Sequence, residues 1–236
     1  MQLFYNPTIT EKSKELLFDK EESRHIFKVL RKKADDQLML TNGKGIFFKV
    51  ELLQSNPKHC LAKVISVESK EPLPYYLHLA VAPTKLNDRY EWFLEKATEI
   101  GISEITPIIC DHSERKVIKL ERFEKKIQSA MKQSLHAYLP KINEAITYKN
   151  FLKNQADSLE QKLIAHCEET DKRTLKSVLK PNQKTILLIG PEGDFSTNEI
   201  RLALEDDFIP VSLGNTRLRT ETAAIVACHS VAFINE

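Results

Sequence analysis

The stretch LLIGPEGDFSTNE, residues 187–199, predicts a buried strand that runs into a glycine-containing turn and then into a helix. The apolar residues before Gly190 are typical of a strand covered on both faces. Ser196, with Glu199 three residues later, is the pattern of a capping box. The glycines let the backbone approach a ligand closely, although the same turn also fits a connection that binds nothing. The segment 187–199 lacks the sequence of a phosphate-binding P-loop. Its glycines also lack the spacing found in dinucleotide-binding sites.

A second glycine-bearing strand end follows in VSLGNTRLRTETAA, residues 211–224. The pattern predicts a strand that ends at Gly214, a basic loop, and a helix that begins near Thr220. Glu221 in the first turn of that helix either stabilises the helix N-terminus or takes part in chemistry, and the loop arginines are either solvated or bind a ligand. Ligands of α/β sheets bind beyond the carboxyl ends of strands. Two unusual strand ends this close in the chain therefore predict a site.

The rest of the chain divides into a β-rich part and a part in which strands and helices alternate. Residues 37–52 have the pattern of a β-hairpin around Asn42-Gly43, and the Pro72 and Pro74 region reads as a stiff junction. Beyond it, helices are predicted at 88–100, 120–137, 171–179, 196–204 and 220–233. Such alternation predicts an α/β domain with a parallel sheet covered on both faces. We therefore expect two domains, residues 1–72 and 73–236.

Composition excludes several classes of protein. The 236 residues are 42% hydrophobic and 29% charged, which is ordinary for a globular chain and excludes disordered and low-complexity classes. The net charge of +2 is too small to attract nucleic acid to the protein as a whole. Any surface that binds nucleic acid therefore has to be a local basic patch. The sequence shows neither a signal-peptide pattern nor an apolar run of about 18 residues, which predicts no membrane span.

The cysteines predict a reducing compartment and no metal centre. Four cysteines lie far apart in the chain, which is typical of the reduced thiols of a cytoplasmic protein. Cys110, His112, His166 and Cys167 follow two predicted strands and could converge as zinc ligands. Since none of the paired ligand spacings of zinc sites is present, we expect no metal.

The two strand-end motifs resemble those of the RsmE-type 16S ribosomal RNA (uracil-N3) methyltransferases of the SPOUT superfamily. Further matching segments occur in the family's order along nearly the whole chain, which makes the resemblance specific. The matching positions are His25, 29–31, Asp36, Glu91-Trp92, 96–101, Gln133-Ser134, Pro140, 190–193, Phe195-Ser196, Glu199, Leu213-Gly214 and 218–223.

The resemblance implies a fold and a cofactor. It implies a PUA-like RNA-binding β-barrel, followed by a SPOUT α/β domain with a deep trefoil knot, in a homodimer that uses S-adenosyl-L-methionine. The cofactor would be held largely by the backbone of loops that follow strands of the knot. The implied cofactor-binding residues are His166, Ile189, Gly190, Pro191, Glu192, Gly193, Leu213, Gly214, Leu218 and Arg219.

The implied reaction needs a place for the N3 proton of uridine and a donor for the charge that develops on the uracil oxygens. We expect Arg219 to orient or stabilise the uracil and Glu221 to act as the base, with a helix-capping role of Glu221 as the alternative. N3 lies on the Watson–Crick edge, so the uridine of the 16S rRNA or small subunit must be unpaired. Rival functions are ribose 2′-hydroxyl methylation by a SPOUT enzyme and RNA binding without catalysis. Candidate RNA-binding residues, which could also be merely solvated, are Arg24, Arg31, Lys32, Lys85, Arg89 and Arg115.

The chain departs from the family pattern at several positions. Asp194 stands where the family usually has glycine, and aspartate tolerates the left-handed conformation better than most residues. Thr216 and His136 stand where arginine is usual. Arg217, beside Thr216, is a candidate replacement for the missing arginine.

Overall fold

A computed structural model describes residues 2–155, 161–169 and 171–236 of the chain. Contacts divide the chain into two compact units. One is formed by Met1–Pro72 with Met131–Leu139, and the other by Leu73–Ala130 with Pro140–Glu236. The segment Met131–Leu139 is thus grouped with the first unit, although it follows the predicted domain junction in sequence. No helix among the described residues is long and apolar enough to cross a membrane.

The first unit contains β1 (Leu3–Tyr5), β2 (Glu15–Leu17), α1 (Lys20–Arg24), a π-helical turn (His25–Val29), β3 (Gln37–Thr41), β4 (Ile46–Gln54) and β5 (Leu61–Ser69). The strands form a sheet in the order β1-β3-β4-β5-β2. The predicted hairpin is confirmed, because β3 and β4 pair antiparallel across a turn where Gly43 has φ +70°. One face of the sheet packs on the π-helical turn through buried side chains such as Phe4, Ile26 and Phe48.

The second unit contains β6 (Tyr76–Val81), α2 (Asn87–Ile100), β7 (Glu104–Ile109), β8 (Lys141–Ile142), β9 (Ile146–Thr147), α4 (Tyr148–Gln155), β10 (Gln161–Ala165), β11 (Arg173–Thr174), α5 (Leu175–Val178), β12 (Lys184–Ile189), α6 (Thr197–Glu205), β13 (Ile209–Ser212) and α7 (Thr220–Phe233). Helix α3 spans Leu120–Gln133. The parallel sheet has the order β11-β13-β10-β12-β6-β7-β8, with β9 paired to β7. Its inner strands are buried almost end to end, as the predicted apolar runs require.

The predicted boundaries are confirmed for the end of α2 and for both ends of α7. Gly101 ends α2 with φ +115° and donates its N–H to the Ala97 carbonyl, and α7 has the predicted bounds. The prediction for α3 is wrong at its end, because Leu135 adopts φ +58° and the helix stops at Gln133. The predicted helix at 171–179 is reduced to Leu175–Val178, and α4 was not predicted at all.

Glu104, at the start of β7, is the centre of a polar cluster at one end of the sheet. Its carboxylate accepts hydrogen bonds from Lys141 Nζ at 2.8 Å, Asn143 Nδ2 at 2.6 Å and the Tyr76 hydroxyl. Burial raises the pKa of this carboxyl, but the three hydrogen bonds outweigh burial and lower the pKa from its ordinary 4.5 to about 2. The ionised form is therefore the one that stabilises the fold.

Replacement of Glu104 by glutamine is expected to lower the free energy of unfolding at pH 7 by about 1.5 kcal/mol or more, because charge-assisted hydrogen bonds become neutral ones. The contribution of Glu104 is fully present above pH 4.5 and is lost as the pH falls towards 2, since its folded pKa is depressed. Urea denaturation of Glu104→Gln and of the unmodified protein measures this loss. The difference between their free energies of unfolding should be smaller at pH 3.5 than at pH 7. Glu144→Gln, at an exposed position nearby, is the matched control. An equal loss at both pH values would contradict the account.

Candidate functional site at the carboxyl edge of the sheet

The ends of β12 and β13, which carry the two predicted motifs, lie on either side of the end of β10, which precedes His166. β10 is flanked by β12 and β13 in the sheet, and the register pairs Ala165 with both Ile189 and Val211. The three strands therefore end at the same level, and the loops that follow them share one edge. This is the edge at which open parallel sheets bind ligands.

The turn after β12 is compact and shaped by Gly190. A Cβ atom on Gly190 would lie 3.1 Å from both the backbone nitrogen and the ring of Phe195, so a side chain there would force the turn to shift. The Asp194 N–H donates to the Pro191 carbonyl at 2.9 Å and closes the turn. The predicted capping box of α6 is confirmed, since Ser196 and Glu199 exchange both of its hydrogen bonds.

Asp194 connects this turn to the loop after β10. It adopts φ +63°, the conformation that glycine usually provides. Its carboxylate accepts the Cys167 N–H at 2.7 Å and the Phe195 N–H at 2.9 Å. A glycine at this position would provide neither hydrogen bond. Asp194 therefore links two of the loops that line the site, at the cost of a less favourable backbone conformation.

The loops after β6 and β7 hold the turn from the other side. Glu192 Oε1 accepts the Lys85 N–H at 2.9 Å, and His112 Nδ1 lies 3.0 Å from the Gly193 carbonyl oxygen. The Arg115 guanidinium donates to the Thr84 and Lys85 carbonyls. Arg115 and Lys85 are therefore beside the site, where Arg115 braces a loop and the Lys85 ammonium pairs with Glu114 at 2.8 Å. Their role in RNA binding stays a prediction.

Two adjoining cavities open at this edge, and most of the predicted cofactor-binding residues line them. One of about 300 Å³ is lined by Ile189, Gly190, Pro191, Glu192, Leu218 and Arg219, among others. The other, of about 450 Å³, is lined by His166, Leu213, Gly214 and Leu218, among others. Gly193 is not among the described residues that line them and packs against His112 instead. Lys172, which the sequence reading missed, also lines the larger cavity.

His166 lines the larger cavity and has a buried imidazole ring. The residue is only 6% exposed, and neither ring nitrogen has a hydrogen-bond partner among the described residues. Burial, together with the Lys172 ammonium, lowers the pKa of His166, so the ring is neutral at pH 7 and offers one donor and one acceptor. Buried polar groups are nearly always paired in proteins, so these nitrogens indicate a ligand.

The N-terminus of α7 brings Arg219 and Glu221 to the same region. The Thr220 hydroxyl donates to the Gly190 carbonyl at 3.0 Å and fixes the helix start against the turn. Glu221 is only 6% exposed, and its Oε1 lies 3.8 Å from Arg89 Nε of α2. Its Oε2 is buried without a hydrogen-bond partner within the described ranges. The sequence placed Arg89 among the RNA-binding candidates but did not reveal its pairing with Glu221.

The other RNA-binding candidates lie in the first unit. Arg24 closes α1 and is exposed, and Arg31 is exposed with φ +54° directly after the π-helical turn. Lys32 is half-buried and donates its N–H to the Ile26 carbonyl. In the part of the chain that the structure describes, no group of three or more His, Cys, Asp or Glu residues is placed to hold a metal ion.

Comparison with known proteins identifies both parts of the chain. The profile of an RNA methyltransferase domain matches residues 71–232, and the profile of an RNA methyltransferase PUA domain matches residues 18–65. The ribosomal RNA small subunit methyltransferase E of Buchnera aphidicola is 30% identical over 223 residues, which cover 89% of this chain and 85% of that protein.

Solved structures resemble the chain over its whole length. The crystal structure of a probable rRNA-methyltransferase from Porphyromonas gingivalis is 41% identical, with a TM-score of 0.91 over 100% of this chain and 98% of that one. The ribosomal RNA small subunit methyltransferase E of Neisseria gonorrhoeae, bound to S-adenosyl methionine, is 27% identical with a TM-score of 0.88 over 100% and 98% of the two chains.

Replacement of Asp194 by alanine is expected to lower the free energy of unfolding by about 1–3 kcal/mol, because two backbone N–H groups lose their acceptor while the positive φ remains. Asp194→Gly should lower the free energy of unfolding less than Asp194→Ala does. Glycine loses the same two hydrogen bonds but adopts the positive φ without strain. Urea denaturation of both variants measures the difference. Asp171→Ala, at an exposed position nearby, is the control. Unchanged stability in Asp194→Ala would show that the bridge to Cys167 contributes nothing.

Proposed function

Because the chain belongs to the RNA methyltransferase family, we propose that it transfers a methyl group from S-adenosylmethionine to N3 of a uridine in the 16S rRNA of the small ribosomal subunit. The full-length relatives named ribosomal RNA small subunit methyltransferase E support the substrate, and the bound ligand of the Neisseria structure supports the methyl donor. The observation that carries the chemistry is the buried, partly unpartnered Glu221 carboxylate, next to the loop that lines the cofactor cavities.

The cavities fit S-adenosylmethionine. Adenine is recognised by peptide donors and acceptors more than by charges, and the backbone of the loops after β10, β12 and β13 surrounds the space. The ring nitrogens of His166, which have no hydrogen-bond partner among the described residues, match a ligand with hydroxyl or ring-nitrogen groups. When bound, S-adenosylmethionine supplies an electrophilic methyl carbon on a positively charged sulfur. The residues that hold it are His166, Ile189, Gly190, Pro191, Glu192, Leu213, Gly214, Leu218 and Arg219, with Gly193 supporting the turn.

Residues at the N-terminus of α7 remove the N3 proton and stabilise the charge that develops on the uracil. Glu221 Oε2 accepts the proton that uridine N3 loses, which leaves the nitrogen lone pair free to attack. Arg89 attracts the Glu221 carboxylate and holds it in place. Arg219, exposed in the adjoining loop, donates hydrogen bonds to the uracil oxygen on which negative charge develops.

The remaining features follow from the same family. Residues 1–72 form the PUA-like RNA-binding domain, in which Arg24, Arg31 and Lys32 contact phosphates. Residues 73–236 form the SPOUT domain, whose strand-end motifs resemble the segments of a deep trefoil knot. The protein acts as a homodimer, and a ribosomal RNA substrate places it in the cytoplasm.

The variant Glu221→Gln is expected to lower the turnover of methyl transfer by about 100-fold or more, since an amide cannot accept the N3 proton. The dissociation constant for S-adenosylmethionine should change less than about twofold, because Glu221 lies outside the residues that line the cofactor cavities. Transfer of labelled methyl groups to small ribosomal subunits from cells that lack the modification gives the turnover, and calorimetry gives the affinity.

Glu205→Gln is the control, because it removes the same charge from an exposed position on α6. Turnover by Glu221→Gln equal to that of the unmodified protein would remove the base role. Failure of the unmodified protein to label the subunits at all would remove the proposed activity itself.

A further inference from the structure

A third cavity, of about 600 Å³, shares Arg217 and Leu218 with both cofactor cavities and Arg219 with the smaller of them. Building on the proposed function, we propose that it holds the target nucleotide, a single uridine turned out of the RNA, with its base stacked on Trp92. The cavity is lined by Asp88, Arg89, Trp92, Arg217, Leu218, Arg219, Glu221 and Thr222.

Trp92 provides a flat apolar surface in a cavity that five charged side chains also line. It lies on α2 and is 46% exposed, although its neighbours Phe93 and Tyr90 on the same helix are fully buried. Stacking on an aromatic side chain is a principal way in which proteins hold an unpaired base. A half-exposed tryptophan at the wall of a cavity therefore fits a nucleobase.

Glu221 makes the cavity selective for uracil over cytosine. Its Oε2 is buried and without a hydrogen-bond partner in the described structure, so it requires a donor. Uracil N3 carries a hydrogen and can donate, whereas cytosine N3 carries a lone pair and would be repelled by the carboxylate. The same oxygen that removes the proton thus also distinguishes the two pyrimidines, which goes beyond the base role proposed above.

The charges of the cavity fit the phosphate of a nucleotide. Three arginines and two acidic residues line it, and Arg89 is occupied by Glu221. Arg217 and Arg219 are exposed and form no ion pair among the described residues. Since Arg219 is assigned to the uracil oxygen, Arg217 is left to bind a phosphate beside the extruded base, a role that its position beside Thr216 only hinted at.

Trp92 is the single tryptophan of the chain, so its fluorescence reports on this cavity alone. With S-adenosylhomocysteine present, a short single-stranded RNA with one central uridine should quench the emission in a saturable way. The same RNA with a central cytidine should bind more weakly. No quenching, or equal quenching by both RNAs, would overturn the proposal. If the emission changes with protein concentration and not with added RNA, a second copy of the chain covers Trp92, and the proposal is wrong.

Variants of Trp92 provide the kinetic test. Trp92→Leu is expected to lower kcat/KM for the small subunit by about 10-fold or more, with unchanged affinity for S-adenosylmethionine. Trp92→Phe should restore most of the activity because it keeps an aromatic face. Leu204→Ala, which removes an exposed apolar side chain on α6, is the matched control. Full activity in Trp92→Leu, or equal losses in the leucine and phenylalanine variants, would contradict a stacking role. Absence of methyl transfer by the unmodified protein would refute the proposed function and leave the binding test intact.

Discussion

The hydrogen bond from the Thr220 hydroxyl to the Gly190 carbonyl, 3.0 Å long, joins the two strand-end motifs on which the site depends. It fixes the start of α7 against the turn after β12, and so sets where the side chains of the first helical turn point. Asp194 then joins the same turn to the loop after β10 through the Cys167 N–H. A site built from three separate loops gains its shape from such cross-links, since each loop alone could adopt other conformations.

Two buried side chains in the site lack some of their hydrogen-bond partners. This lowers the stability of the fold, so we explain it by ligand binding. His166 leaves both ring nitrogens without partners, and Glu221 leaves one carboxylate oxygen without a partner, among the described residues. Each unpaired buried group costs roughly 1–3 kcal/mol of folding free energy. A ligand that supplies the missing hydrogen bonds recovers this energy on binding. His166 lines one cofactor cavity, Glu221 lines the third cavity, and Arg217 and Leu218 line both, which matches a methyl donor and a methyl acceptor bound next to each other.

The sequence predicted what depends on short-range signals and missed what depends on distant contacts. The capping box of Ser196 and the stop at Gly101 are local, so α6 and the end of α2 were found. The two-residue strands β8 and β9 are too short to leave a periodic pattern. Arg89 and Glu221 meet because α2 and α7 pack together, and no pattern along the chain encodes that meeting. The glycine-bearing ends of β12 and β13 predict a site at this edge from the residues alone, and the resemblance to a known family adds the cofactor and the reaction.

The identity of the methylated atom tests the central claim most directly. Small ribosomal subunits from cells that lack the modification would be incubated with the protein and S-adenosylmethionine, digested to nucleosides and analysed by mass spectrometry. The account predicts a new 3-methyluridine. A 2′-O-methylated nucleoside would contradict the placement of the Glu221 carboxylate at the N3 proton, and the absence of any methylated product would contradict the methyltransferase activity itself.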